Sequence, residues 1–298
     1  MRRRYETQFA RDLWWALESP MLMEHPCTVE ASWRHRETAR YQGLFKKLDK
    51  SRRAPVKVVR PGAFNGPGEY FEVLIRTWLD EVPPADPIAA NWQVYSGDRT
   101  IGEFDLIFRR DGQIWHWELA VKFYLGHPAP DGQFRWYGPD PQDRLDRKWA
   151  KMRGQQLRLC RHPASAGALD VLGIDTELSS RAFIKGYLFV PLEDSYEVDF
   201  PPDINPSGLR GWWVHRGQLA AHGDMLDPER DKMWVRLPEL RWMSPASVMD
   251  GDRLYPLDAL ISELPRGTPS LVAAVEPTSA GYRELSRGFV VPDGWPHH

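Results

Sequence analysis

The chain has 298 residues, enough for one large domain or two small ones whose core needs neither disulfides nor a structural metal. Its 39 basic and 41 acidic residues leave a formal charge of −2, so no global positive field advertises a polyanionic partner and any such contact must rest on a local patch. Cys27 and Cys160 stand in no CxxC or regular Cys/His spacing, which argues against a disulfide framework or a zinc finger, and no stretch approaches the roughly 20 apolar residues that span a bilayer. A cytoplasmic protein without membrane contact is expected.

Along the chain, residues 5–18 place Phe9, Leu13, Trp14 and Leu17 on one side at helical spacing. A second helical stretch follows at 36–49, and the basic run from Lys46 to Arg60, carrying Pro55, suits an exposed connection. Arg60-Pro61-Gly62 marks a boundary, giving an N-terminal helical extension over 1–60. Beyond it Pro67 suits a first helical turn, and Phe71, Leu74, Ile75, Trp78 and Leu79 form an apolar stripe that Pro83-Pro84 ends. Three runs rich in β-formers come next, at 91–95, 101–110 and 114–125, separated by Ser96-Gly97-Asp98 and Asp111-Gly112, which read as tight hairpin turns. A Gly- and Pro-rich loop over 126–141 leads to Asp143, a natural cap for a helix with Leu145, Trp149, Met152 and Leu159 on one face. The run 182–190 reads as a buried strand. Residues 61–192 thus form an α/β core in the order helix, three strands, helix, strand, and 193–298 form a C-terminal extension of mixed structure packed on it. Its short apolar segments lie around 211–215, 233–237 and 271–275.

Side chains alternate across a strand, so a period of two sorts each run into faces. In the second strand Glu103, Asp105 and Ile107 oppose Phe104, Leu106 and Phe108. In the third, His116, Glu118, Ala120 and Lys122 oppose Trp115, Trp117, Leu119, Val121 and Phe123. Adjacent strands therefore each present a carboxylate in mid-strand, where acids are costly to bury unless paired or metal-bound. Such a conflict with local propensity is expected at functional sites. His116 shares the face and can donate to phosphate or simply hydrogen-bond. The 14 tryptophans, spread from Trp14 to Trp295, chiefly build core. No G-x-S-x-G elbow, P-loop or dinucleotide fingerprint occurs, so acyl-hydrolase, kinase and dehydrogenase chemistry lacks local support.

This element order, with Asp on the second strand and Glu and Lys on the third, resembles the PD-(D/E)XK phosphodiesterase superfamily. More narrowly, GEFDLIF, WHWELAVKFYLG, GPDPQDRLDRK, QQLRL and LRGWW resemble a bacterial family known as domain of unknown function 1853, grouped with that superfamily. The resemblance implies a PD-(D/E)XK nuclease-like core with a mixed central sheet. It further implies Mg²⁺ or Mn²⁺ held by Asp105 and Glu118, with Glu72 joining from the preceding helix. In that scheme the cation activates water and neutralises charge growing on a phosphate of DNA or RNA, while Lys122 positions the nucleophile or stabilises the transition state. Gln156 continues the helical series 145, 149, 152, and some related nucleases use a helix glutamine near the metal; a buried amide bonded to backbone is the equal alternative. Arg144, Arg147, Lys148 and Lys151 form either a phosphate-binding edge or a solvated face.

One departure stands out. The superfamily spacing is Glu-x-Lys, whereas Lys122 lies four positions beyond Glu118 and Ala120 fills the usual lysine slot, about 7 Å nearer. The lysine either reaches back, or the protein is an inactive nuclease-like descendant that binds nucleic acid or a protein partner. A third possibility is a metal-free hydrolase using Asp105 and Glu118 as an acid/base pair on another substrate.

Overall fold

The computed structural model describes residues 5–51, 64–81, 85–193, 198–229, 231–249, 251–279 and 281–297. Within them lie eight α-helices and nine strands: α1 (Gln8–Glu18), α2 (Ala31–Arg40), α3 (Gln42–Ser51), α4 (Pro67–Asp80), β1 (Asp86–Ser96), β2 (Arg99–Arg110), β3 (Gln113–Pro128), β4 (Phe134–Tyr137), α5 (Leu145–Gly154), α6 (Ser165–Val171), β5 (Ser179–Pro191), β6 (Leu209–His215), α7 (Gly223–Leu226), β7 (Met233–Leu237), α8 (Leu257–Glu263), β8 (Ser270–Thr278) and β9 (Gly281–Val291). One mixed sheet joins all the strands in the order β1-β2-β3-β5-β6-β9-β8-β7, with β4 paired to β3. The centre, β3 to β9, is parallel and both flanks are antiparallel. No helix among the described residues is long and apolar enough to cross a membrane.

Helices cover both faces, which is what lets the central strands be apolar on each side. On one face α1 and α4 bury Phe9, Leu13, Phe71, Leu74 and Trp78 against Trp117, Leu119 and Phe183. On the other, α5 and the segments around it pack Leu145, Trp149, Met152 and Leu157 on Ala120, Tyr124 and Ile184. Local chemistry agrees with these placements. The hydroxyl of Thr7 accepts from Ala10 N at the start of α1, and Pro67 occupies the first turn of α4. The β2–β3 turn is Asp111-Gly112 with φ of 50° and 76°, the pair of positive angles that a two-residue hairpin demands.

Several boundaries differ from expectation, each for an identifiable reason. The helix expected at 36–49 is two helices, α2 and α3, parted at Tyr41. The helix expected from Asp143 to Leu159 breaks after Gly154, where Gln155 leaves helical geometry, and continues as a 3-10 turn, Gln156–Arg161. Asp143 does not cap it, because Lys122 and Tyr124 engage its two carboxylate oxygens, and Arg144 holds the cap position without a side-chain capping bond. Strand β4 emerges from the loop expected at 126–141. The sheet continues across residue 192: β6, β7, β8 and β9, from the region expected as an extension, extend it beyond β5. Pro83-Pro84 and the boundary at Arg60-Pro61-Gly62 lie outside the described residues.

A buried ion pair ties α2 to the sheet: Arg110 on β2 donates to both oxygens of Glu37 at 2.7 Å, with both side chains buried. Removing one partner of such a pair strands the other charge. Glu37→Ala is therefore expected to cost about 3 kcal/mol, read as a fall in the denaturant midpoint.

Candidate functional site

The site forms where β2 and β3 part. Their ladder ends at Leu106 and Trp117, so the next register places Asp105 opposite Glu118. Beyond that point the amide of Leu119 donates not to the β2 backbone but to Asp105 Oδ2, at 2.9 Å. A carboxylate has thus replaced a rung of the sheet, and across this opening the two acids are neighbours whose charges act on each other.

Around Glu118, which is fully buried, three side chains converge. Gln156 Nε2 donates to Oε2 at 2.5 Å, and His116 Nε2 lies 3.0 Å from Oε1 while its Nδ1 lies 3.1 Å from Ser180 Oγ. Lys148 Nζ donates to Gln156 Oε1 at 3.2 Å, so the ammonium reaches the acid through the amide. Burial pushes Asp105 up to about 8, aided by the neighbouring Glu118 charge and, more weakly, by Glu72; the Leu119 amide and Lys148 oppose it. Burial likewise pushes Glu118 up to about 7, against the pull of Lys148. The same desolvation drives His116 down to about 4, so at neutral pH it is a neutral imidazole. Donating from Nε2 to Glu118, it then accepts from the Ser180 hydroxyl. Burial and the like charge of Lys122 lower Lys148, whereas Glu118 and Asp105 hold it up.

The sequence-derived residues are therefore brought together in part. Asp105, Glu118 and Gln156 meet. Lys122 does not join them; it donates to Asp143 Oδ2 at 2.6 Å, and that carboxylate also accepts from the Tyr124 hydroxyl at 2.9 Å. Four positions of strand carry its ammonium past Glu118 to an acid from the following loop. Among the described residues Glu72 makes no hydrogen bond to the pair: its Oε2 accepts from Asn91 Nδ2 at 3.1 Å, with Arg76 at 3.8 Å, although its charge still acts on Asp105. Asn91, at φ 51°, stands between β1 positions that pair with Leu106 and Phe104, and so faces Asp105. The expected basic edge of α5 is not one face. Arg144 is engaged by Asp146, Arg147 and Lys151 are exposed, and Lys148 turns inward. Lys148 is thus the ammonium of the site, and its helical position one turn before Met152 was the available signal.

No group of three or more His, Cys, Asp or Glu side chains able to hold a metal occurs among the described residues. Two carboxylates do face one another, and their oxygens are the hard donors that Mg²⁺ and Mn²⁺ take, the remaining positions of such ions commonly being filled by water. Both acids resist ionising together without a cation, which fits the donor set to that group.

Fold and site together define a mixed α/β protein with a buried and a half-buried acid facing each other at a gap in its central sheet. The family model described as "Domain of unknown function (DUF1853)" matches residues 11–291, and the chain belongs to that family. No curated protein and no solved structure matches the chain.

Proposed function

We propose that this protein is a divalent-metal-dependent phosphodiester hydrolase of the PD-(D/E)XK type, acting on DNA or RNA. The observation that carries the proposal is the facing of Asp105 and Glu118 across the parted strands, with Gln156 and Lys148 completing one polar cluster in an apolar setting. Mg²⁺ or Mn²⁺ held by Asp105 and Glu118 supplies charge neutralisation and water activation at the scissile phosphate. The chain's own groups do the rest. Leu119 N fixes the orientation of Asp105, while His116 and Gln156 each fix one oxygen of Glu118. Lys148, partly buried and next to both acids, offers positive charge where a phosphate's charge grows. Lys122 and Asp143 neutralise each other at the rim.

The test is cleavage of labelled single- and double-stranded DNA and RNA by purified protein. Mg²⁺ or Mn²⁺ is expected to support cleavage and a chelator to abolish it. Turnover indifferent to the chelator would replace this reading with a metal-free acid/base hydrolase.

A second reading is favoured by one observation: Ala120 fills the position two residues after Glu118, and Lys122 is spent on Asp143. In it the protein is an inactive nuclease-like binder of nucleic acid or of a protein partner. Salt-sensitive binding without turnover under any metal would select it.

A further inference from the structure

An open cleft of about 1030 Å³ has neither Asp105 nor Glu118 among its lining residues. Its walls come from four separate stretches of the chain, around residues 25–27, 112–114, 150–161 and 176–181. Arg153 projects from the end of α5, Arg158 and Arg161 from the 3-10 turn, and Arg181 from the start of β5, whereas Glu177 is the one carboxylate among its lining residues. Arg153 is anchored, bonded to Asp203 Oδ2 at 3.1 Å and lying over the Trp149 ring. Arg181 donates to the Ser180 carbonyl and sits over Trp115. Arg158 and Arg161 make no ion pair or side-chain hydrogen bond among the described residues, and both are exposed.

Guanidinium groups gathered in one concavity repel each other, and a planar fork of donors left unpaired is suited to phosphate. A single phosphate cannot fill the two unpaired forks of Arg158 and Arg161 and also reach the anchored Arg153 and Arg181 across a cleft of this size; a chain of phosphates can. The cleft is also wired to the acids. The 3-10 turn sends Gln156 to Glu118 on one side and Leu157, Arg158 and Arg161 into the cleft on the other. Ser180 lines the cleft, and through His116 it reaches Glu118 in two hydrogen bonds. The buried His116 is thus the partition between the cleft wall at Ser180 and Glu118.

We infer that the Arg153–Arg158–Arg161–Arg181 cleft is the entry groove for a single nucleic-acid strand, held by its backbone. This deepens the proposed function and rests on it for what happens to the strand at the acids. The case for one strand is the shape: a duplex is a stiff rod, whereas a single strand bends into a recess and presents successive phosphates to its walls.

The experiment measures fluorescence anisotropy of labelled DNA and RNA single strands of about 15 nucleotides, and of matching duplexes, against the full chain in EDTA, so that binding is read without turnover. About four phosphate contacts predict that log affinity falls with log salt at a slope of about −3 for a single strand. In Arg158→Glu/Arg161→Glu that slope is expected to drop to about half and affinity to fall about tenfold or more, with the melting temperature unchanged because both side chains are exposed. Unchanged affinity in this variant, or duplex bound as tightly as single strand, overturns the inference. Its fate is separable from that of the hydrolase: tight, arginine-dependent binding with no cleavage in Mg²⁺ or Mn²⁺ sinks only the catalytic reading, and cleavage untouched by the arginine changes sinks only the groove.

Discussion

Under the proposed function, Asp105→Ala and Glu118→Ala are each expected to lower metal-dependent cleavage by on the order of a thousandfold or more, because each removes one of the two oxygen donors that face across the parted strands. Loss of activity through misfolding is separable from loss of a ligand, since the native fold is taxed by this pair when no metal is present. Burial, mutual repulsion and weak compensation keep Asp105 protonated to about 8 and Glu118 to about 7, whereas unfolded carboxyls release their protons near about 4. Between those limits the native state binds more protons than the unfolded chain. The pair's contribution to stability is therefore complete below about pH 4 and is lost as the pH rises towards 8. Asp105→Asn keeps an acceptor for the Leu119 amide but never ionises. In EDTA it should overtake the parent protein as pH rises, by on the order of 1–3 kcal/mol at pH 8, measured by denaturant titration at pH 5 and pH 8. Mg²⁺ should close that gap by stabilising only the parent. A variant that loses ground with rising pH would show that the carboxyls are not held as the structure has them.

Gly186→Ala will cost more than about 4 kcal/mol and abolish soluble expression at elevated temperature. Gly186 lies within β5, paired in parallel with Lys122, at φ 145°. A Cβ there would sit 1.7 Å from the Lys122 carbonyl oxygen, so backbone must move against backbone. The strand cannot shift alone, because Ile184 and Leu188 are fully buried on one face and Phe183 and Phe189 on the other. Gly43→Ala is the matched control, a glycine in α3 without a positive φ and with nothing near its missing Cβ, and its effect should be small. Equal melting temperatures for the two variants would contradict the close approach of β3 and β5.

Much of this site was written in local pattern. The Asp111-Gly112 turn sets the β2–β3 register, and that register with alternation alone puts Asp105 opposite Glu118. The stripe from Phe71 to Leu79 likewise finds its place as α4. What alternation could not supply was the identity of the ammonium. It put Lys122 on the right face, but Asp143, supplied by a loop, captured it. Lys148 read as surface charge, because its one local signal, a place one turn before Met152, only puts it at the border of the apolar face, and which way a border lysine turns is decided by the acids beneath it. The arginine cleft was hidden for a related reason: its arginines are spread over 28 residues, from Arg153 to Arg181, its walls reach back to His25, and all of these meet only in the fold. In the C-terminal third, β9 begins with alternating exposed and half-buried residues and turns fully buried only from Arg287 onward, so its first half carries a weak strand signal.

The unbroken sheet has a practical corollary for anyone wishing to trim this protein. A fragment stopping at residue 192 would leave β5 with its hydrogen-bonding edge from Tyr187 to Pro191 bare, where β6 now lies, and would uncover Phe189, which packs edge-on against Phe289. Naked apolar edges recruit one another. The segment bearing the acids is therefore no detachable module, and minimal versions should be sought by shortening loops instead of by cutting the chain in two.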